Sequence, residues 1–229
     1  MNPARESPDH RVRVAAERRQ RMRAQLADAA LKVAAAGGAE AVTVDAVIQA
    51  ADVSRGTFYK YFDAPSALVR AVGAELAQDM ILALRPMLDR LDDPGERLAV
   101  GFRTVLRLGR ENPLMAGFLI RAGWPVTDHV PAFSARVGAN LAAGIRAGRF
   151  RTPSLAVAQA LVGGMVIGAL AAQAQPGAEE VEEAATCALL RGLGLDEAEA
   201  RDLSRNDLPM AELPEDGLLA RARRAFQAA

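Results

Sequence analysis

The sequence predicts an all-α fold, and three features of its 229 residues carry that expectation. Alanine, leucine and arginine dominate, while aromatic residues make up only 4%. Apolar residues recur at three- and four-residue spacing along most of the chain. No stretch alternates apolar with polar residues for long enough to make a strand. Hydrophobic residues make up 51%, ample for a core, and the length suits one large or two small domains.

Lysine plus arginine balance aspartate plus glutamate at 28 each, so the whole molecule attracts no polyanion. Any affinity for nucleic acid must come from local clustering. Cys187 is the only cysteine. It excludes an intramolecular disulfide and a cysteine-built zinc site, and it suits a reducing, cytoplasmic setting. The N-terminus lacks the apolar core of a signal peptide. Leu155 to Ala172 is almost uncharged, with Gln159 inside it; its alanines, glycines and amphipathic neighbours predict a buried helix rather than a membrane span.

In chain order, residues 1–13 read as a disordered segment or arm, with Pro3, Pro8 and mixed charge. A helix is expected from Val14 to Ala36, turning Leu26, Ala30, Leu31 and Ala34 inward and ending at Gly37-Gly38. Its start is dense in arginine (Arg11, Arg13, Arg18, Arg19, Arg21 and Arg23), which reads either as a solvated face or as a phosphate-binding one. Thr43 can cap a short helix with Val44, Val47 and Ile48 at helical spacing. Ala50 to Val53 makes a corner, and Ser54 caps a second short helix, Arg55 to Tyr61. Two short helices joined by a tight turn form the helix-turn-helix unit, whose second helix enters the DNA major groove. Gly56 permits close backbone approach, at a cost of about 1 kcal/mol in helix propensity. Ser54, Arg55, Thr57, Tyr59 and Lys60 are donors suited to phosphates or base edges. Phe58 and Phe62, four apart, should anchor this helix to its domain. An ordinary surface helix with an aromatic anchor has the same pattern.

Extended through DAPSALVRAV, the stretch resembles the N-terminal domain of the tetracycline-repressor (TetR) family of transcriptional regulators. Thr43, Ile48, Ala50, Val53, Ser54, Gly56, Thr57, Phe58, Tyr59, Tyr61, Phe62 and Leu68 carry the match. It covers about the first third of the chain; the remainder matches in length, helicity and order of features. The resemblance implies a helix-turn-helix DNA-binding domain over residues 14–63 and a helical ligand-binding and dimerisation domain over 64–195, with a tail, 196–229, that it does not explain. It implies that Thr43, Ser54, Arg55, Gly56, Thr57, Tyr59, Lys60 and Arg18 face double-stranded DNA. Members commonly carry a lysine where Pro65 stands, which puts one backbone contact in doubt.

Beyond Pro65, an apolar stripe runs through Val69, Val72, Leu76, Met80, Ala83 and Met87. Asp92 to Gly95 is a turn, followed by a helix from Glu96 to Arg110 with Leu98, Phe102, Val105 and Leu106 on one side and Arg103, Arg107 and Arg110 on the other. Further helical segments are Leu114 to Trp124, one through Phe133, Val137, Leu141 and Ile145, then Pro153 to Ala174 and Gly177 to Leu193. Apolar side chains Met80, Leu84, Phe102, Leu106, Met115, Phe118, Trp124, Phe133 and Leu141, with Arg121, His129 and Asn140 as polar groups, supply either ordinary core or the effector pocket that the family places among these helices. The small residues Gly163, Gly164 and Gly168, with Ile167, Val181, Ala185, Ala188 and Leu189, suit close helix packing, either within one core or in the four-helix interface of a homodimer. Short helices are expected over Asp196 to Leu203 and Leu218 to Phe226.

No nucleophile, phosphate loop or metal-ligand pair has convincing spacing, so no enzyme, cofactor or metal is expected. The reading is a dimeric regulator that releases a palindromic operator when it binds a small, mostly apolar effector. The rival is a ligand-binding adaptor whose helix-turn-helix does not read DNA.

Overall fold

The computed structural model describes residues 8–121 and 131–227, and within them every regular element is helical. The first helix, α1 (Pro8–Gly37), is longer than the expected Val14–Ala36. Residues 8–13, expected as a disordered segment or arm, form its opening turns. Its two halves have different work, as their composition requires. Residues 15–21 are all exposed, whereas Leu26, Ala27 and Leu31 are wholly buried. Gly38 ends the helix at φ 85°, giving its N–H to the Ala34 carbonyl at 2.8 Å. With ψ at 177° this is the extended positive-φ region, which only glycine adopts without strain, and it turns the chain out of the helix.

A single 3-10 turn leads into α2 (Val44–Ala51) and α3 (Arg55–Tyr61). α4 (Pro65–Leu88) then leaves this unit and runs 24 residues into the rest of the molecule. Leu68, Val72, Leu76 and Met80 lie along its buried stripe at 0–1% exposure. Pro86 sits in its last turn, where the missing N–H loosens the helix end.

The remaining helices are α5 (Pro94–Glu111), α6 (Pro113–Arg121), α7 (Pro131–Arg146), α8 (Leu155–Gln173), α9 (Val181–Gly192), α10 (Glu197–Arg205) and α11 (Leu218–Gln227). α5 is central and packs on α4, α6, α7, α8, α9 and α10. Both its sides are therefore covered, and the side that carries Arg103 and Arg107 meets α9. Arg103 is buried, and its Nε donates to Glu182 of α9 at 3.1 Å, as does that of Arg107. Buried charges of this kind persist because each has its partner.

The outcome at α8 is the reverse. The helix meets the length and composition of a membrane span, yet only 22% of its apolar window is buried in one protomer. Val157 is 48% exposed, and Ala156, Ala160, Gly164, Gly168 and Ala172 form an exposed row at four-residue spacing. Cys187 is half-buried rather than enclosed.

The tail, left open at the sequence level, folds back. α10 packs on α9 and α5, and α11 packs on α4 and α1. Leu218 and Leu219 are 1% and 0% exposed. The Leu219 N–H donates to Asp79 of α4 at 2.8 Å, and Arg221 reaches Asp28 of α1 at 3.0 Å and Glu75 of α4 at 3.3 Å.

Candidate nucleic-acid interface and internal cavity

The α2–α3 unit is built by local rules. Thr43 caps α2 by accepting the Ala46 N–H at 3.2 Å, and Ser54 caps α3 by accepting the Thr57 N–H at 3.1 Å. Between them Asp52 takes the left-handed conformation at φ 51°, which Asp tolerates better than most residues, and Val53 returns its N–H to Ile48 at 3.1 Å. Gln25 of α1 fastens the corner by donating to the Ala51 carbonyl at 2.7 Å.

Phe58 is fully buried and Phe62 nearly so, their rings 6.3 Å apart. Because they hold one side of α3 inward, Arg55, Gly56, Tyr59 and Lys60 are left outward and exposed, beside Ser54. Thr57 is half-buried; its hydroxyl lies 2.9 Å from that of Ser54. A side chain at Gly56 would meet only the Ser54 hydroxyl, at 3.8 Å, so its outer surface is open. Arg55 pairs with Asp45 of α2. The Arg23 guanidinium stacks 4.7 Å from the Phe62 ring centre and reaches the Tyr61 carbonyl, joining α1 to the end of α3. Fifteen residues of α1 precede Arg23, and Arg18 lies exposed among them. α4 begins at Ala64-Pro65 without a side-chain cap.

A cavity of about 400 Å³ lies between α4, α5, α7 and α8. Leu84, Leu98, Phe102, Val105, Phe133 and Val137 form much of its wall, with Arg85, Asp89, Arg97, Arg136 and Asn140 as the polar residues. A smaller chamber of about 60 Å³ shares Val105, Phe133, Val137, Val162 and Val166 with it and adds Met80, Leu119, Ser134, Gln159 and Gly163.

Of the residues expected at a pocket, Leu84, Phe102, Phe133 and Asn140 line the large chamber, and Met80 and Phe133 line the small one. The rest depart from the expectation. Met115 and Phe118 are fully buried and line neither chamber, because α6 turns them into the core. Arg121 points the other way: its Nη1 donates to the Ala35 carbonyl of α1 at 2.8 Å. That junction is tight, since a Cβ on Gly117 would stand 2.8 Å from the same carbonyl. Trp124 and His129 lie outside the described residues. Sequence reading missed Arg97 and Arg136, because an arginine on an amphipathic helix looks like any solvated residue until the facing helix is known. Gln159, polar in an otherwise apolar helix, was the one available signal.

The residues expected between subunits also divide. Gly164, Gly168 and Ala188 are exposed, Ile167, Val181 and Ala185 are half-buried, and Gly163 faces the small chamber. Leu189 is 0% exposed and belongs to the protomer's own core.

Among the described residues no group of acidic, histidine and cysteine side chains is arranged to hold a metal ion.

Family models match two parts of the chain: bacterial regulatory proteins of the tetR family over residues 26–72, and the tetracyclin repressor-like C-terminal domain over residues 93–206. The solved structure of RolR in complex with its ligand resorcinol is 30% identical, with a TM-score of 0.67, covering 86% of this chain and 100% of that one. The helix-turn-helix transcriptional repressor KstR of Mycolicibacterium smegmatis is 35% identical over 107 residues, 46% of this chain and 52% of KstR. An uncharacterised helix-turn-helix regulator of Mycobacterium tuberculosis is 27% identical over 123 residues, 52% of this chain and 59% of its own. The chain thus spans little more than half the length of the curated relatives it matches. The two family models together span most of the chain, and the protein belongs to the tetR family of transcriptional regulators.

Proposed function

We propose that the protein is a homodimeric, cytoplasmic repressor that holds a palindromic operator through α3 and releases it when a small, mostly apolar effector fills the cavity. One observation carries this reading. α4 starts four residues after α3 ends and supplies Ile81, Leu84, Arg85 and Leu88 to the cavity wall, so a single rigid element joins the outward donors of α3 to the space for a ligand. In a two-fold dimer the two α3 helices would enter successive major grooves, about 34–36 Å apart. An effector that fits only one placement of α4 favours that placement and shifts the population away from the DNA-bound arrangement.

Thr43, Ser54, Arg55, Gly56, Thr57, Tyr59 and Lys60 form the contact face in this reading, with Arg18 reaching phosphates beside it; Arg55 and Thr57 are the candidates for base edges. The exposed row on α8, with Ala188 of α9, supplies the subunit interface, since apolar helix faces of this length are seldom left to water. RolR binds resorcinol, a small aromatic diol. At about 30 Å³ per water, the large chamber of about 400 Å³ holds some thirteen heavy atoms, an effector of that order rather than a long-chain conjugate.

Selection of the purified protein on a random-duplex pool tests the proposal. The expected result is an enriched palindrome with half-sites about one helical turn apart. A folded, dimeric protein that enriches no sequence at moderate salt would favour the adaptor reading.

A further inference from the structure

The cavity's polar groups are few, and most are already committed. The Asn140 amide nitrogen donates to the Pro94 carbonyl at 3.0 Å, while its oxygen is buried without a hydrogen-bond partner. Arg85 and Asp89 neutralise each other at 3.6 Å. Arg97 of α5, half-buried, and Arg136 of α7, exposed at the chamber's edge, remain on the large chamber, with no acidic partner among the described residues. Two guanidiniums without carboxylate partners beside an apolar wall favour an anion over a cation.

The small chamber presents a different chemistry. Its only polar side chains are Ser134 and Gln159, and neither makes a hydrogen bond to another described residue. Gln159 lies against Gly138, where a Cβ would come within 2.7 Å of Nε2; the missing side chain there is what gives the amide its place. An amide and a hydroxyl on an apolar wall need partners, and together they can both donate and accept. A space of about 60 Å³ equals about two waters. It admits one oxygen and the carbon that bears it, not a ring.

Building on the effector-cavity reading, we propose that the ligand is a ring-bearing carboxylic acid with a hydroxyl or keto oxygen remote from the carboxylate. Its ring lies in the large chamber, its carboxylate meets Arg97 and Arg136, and its oxygen enters the small chamber between Gln159 and Ser134. These two residues then set specificity for the oxygen substituent, and the arginines set specificity for the acid.

Three probes separate the parts: 3-(4-hydroxyphenyl)propanoate, 3-phenylpropanoate without the hydroxyl, and 4-ethylphenol without the carboxylate. Calorimetry on the full-length protein should find the hydroxylated acid tighter than either analogue by about tenfold, the size expected for one hydrogen bond or one charge contact. Gln159→Leu should abolish the preference for the hydroxylated acid, leaving 3-phenylpropanoate binding unchanged. Arg136→Gln, or Arg97→Gln, should abolish the preference for the acids. Binding of 4-ethylphenol as tight as that of the acids, equal loss of all three probes in Gln159→Leu, or binding of none at millimolar concentration would overturn the ligand class. Release of operator DNA is read in parallel. If 4-ethylphenol alone binds and releases DNA, the effector cavity stands and the acid assignment falls. If the hydroxylated acid binds with the expected pattern and DNA stays bound, the assignment stands and the release mechanism falls.

Discussion

At the scale of single residues, the free protein holds its base-reading candidate in check. Arg55 is paired with Asp45, and both side chains are more than half exposed. DNA must compete with that pair. Asp45→Asn should therefore raise affinity for duplex DNA in general and steepen its salt dependence by about one unit of slope, measured by fluorescence anisotropy between low and moderate salt. Unaltered affinity and slope would place Arg55 away from DNA. Lys60→Ala and Arg18→Ala should act oppositely, each flattening the slope by about one unit with sequence preference intact. The caps Thr43 and Ser54 were legible because a cap and its N–H stand three residues apart. Arg121 was not, because its acceptor, Ala35, lies 86 positions away.

At the scale of elements, α11 ties parts of the molecule that are far apart in sequence. Its arginine, Arg221, is shared by Asp28 of α1 and Glu75 of α4, and the start of α11 rests on Asp79. Burial raises the carboxyl pKa of Asp28, Glu75 and Asp79 above their ordinary values, against the pull of Arg221 and, at Asp79, of the Leu219 N–H. A carboxyl raised on folding is protonated more readily in the native state. Its contribution is fullest below its unfolded value, near pH 4, and is lost as pH rises through the folded value. Asp93 has the opposite sign: despite its burial, the Arg149 guanidinium and the Glu96 N–H hold it low, so its contribution fades as pH falls below the ordinary carboxylate range. Asp79→Asn keeps an oxygen for the Leu219 N–H while removing the proton equilibrium. The wild-type melting temperature should therefore fall more than that of the variant as pH rises from about 4 toward neutrality, measured by calorimetry. Identical pH profiles would show that Asp79 does not couple α11 docking to protonation. A charged, proline-interrupted tail gave no sign of this role, because its anchoring acids lie on helices 140 to 193 positions earlier in the chain.

At the scale of the whole molecule, the exposed row on α8 is the proposed subunit interface. A Cβ on Gly164 or Gly168 would meet nothing within 4 Å inside one protomer. Gly164→Glu should thus leave the protomer folded, at a cost no larger than a surface change, while a closely packed partner helix could not accept it. Light scattering should report a monomer with unchanged helical circular dichroism, and operator affinity should fall by at least about tenfold as the second half-site contact is lost. A variant that remains a dimer would move the interface elsewhere.

The sequence by itself determined the all-helical class, the α2–corner–α3 unit with its caps, the inward aromatic pair and the buried stripe of α4, because each depends on residues within about one helical turn of one another. It also marked α8 as an apolar helix without saying which side would be covered. Only the tertiary structure decided that Arg97, Arg136, Ser134 and Gln159 share a cavity, that Arg103 and Glu182 pair inside the core, that Arg121 serves the α1–α6 junction, and that α11 closes onto α1 and α4. Helical periodicity tells which residues share a face; it carries no information about which distant face lies opposite, and charge pairing, cavity lining and tail docking all depend on that.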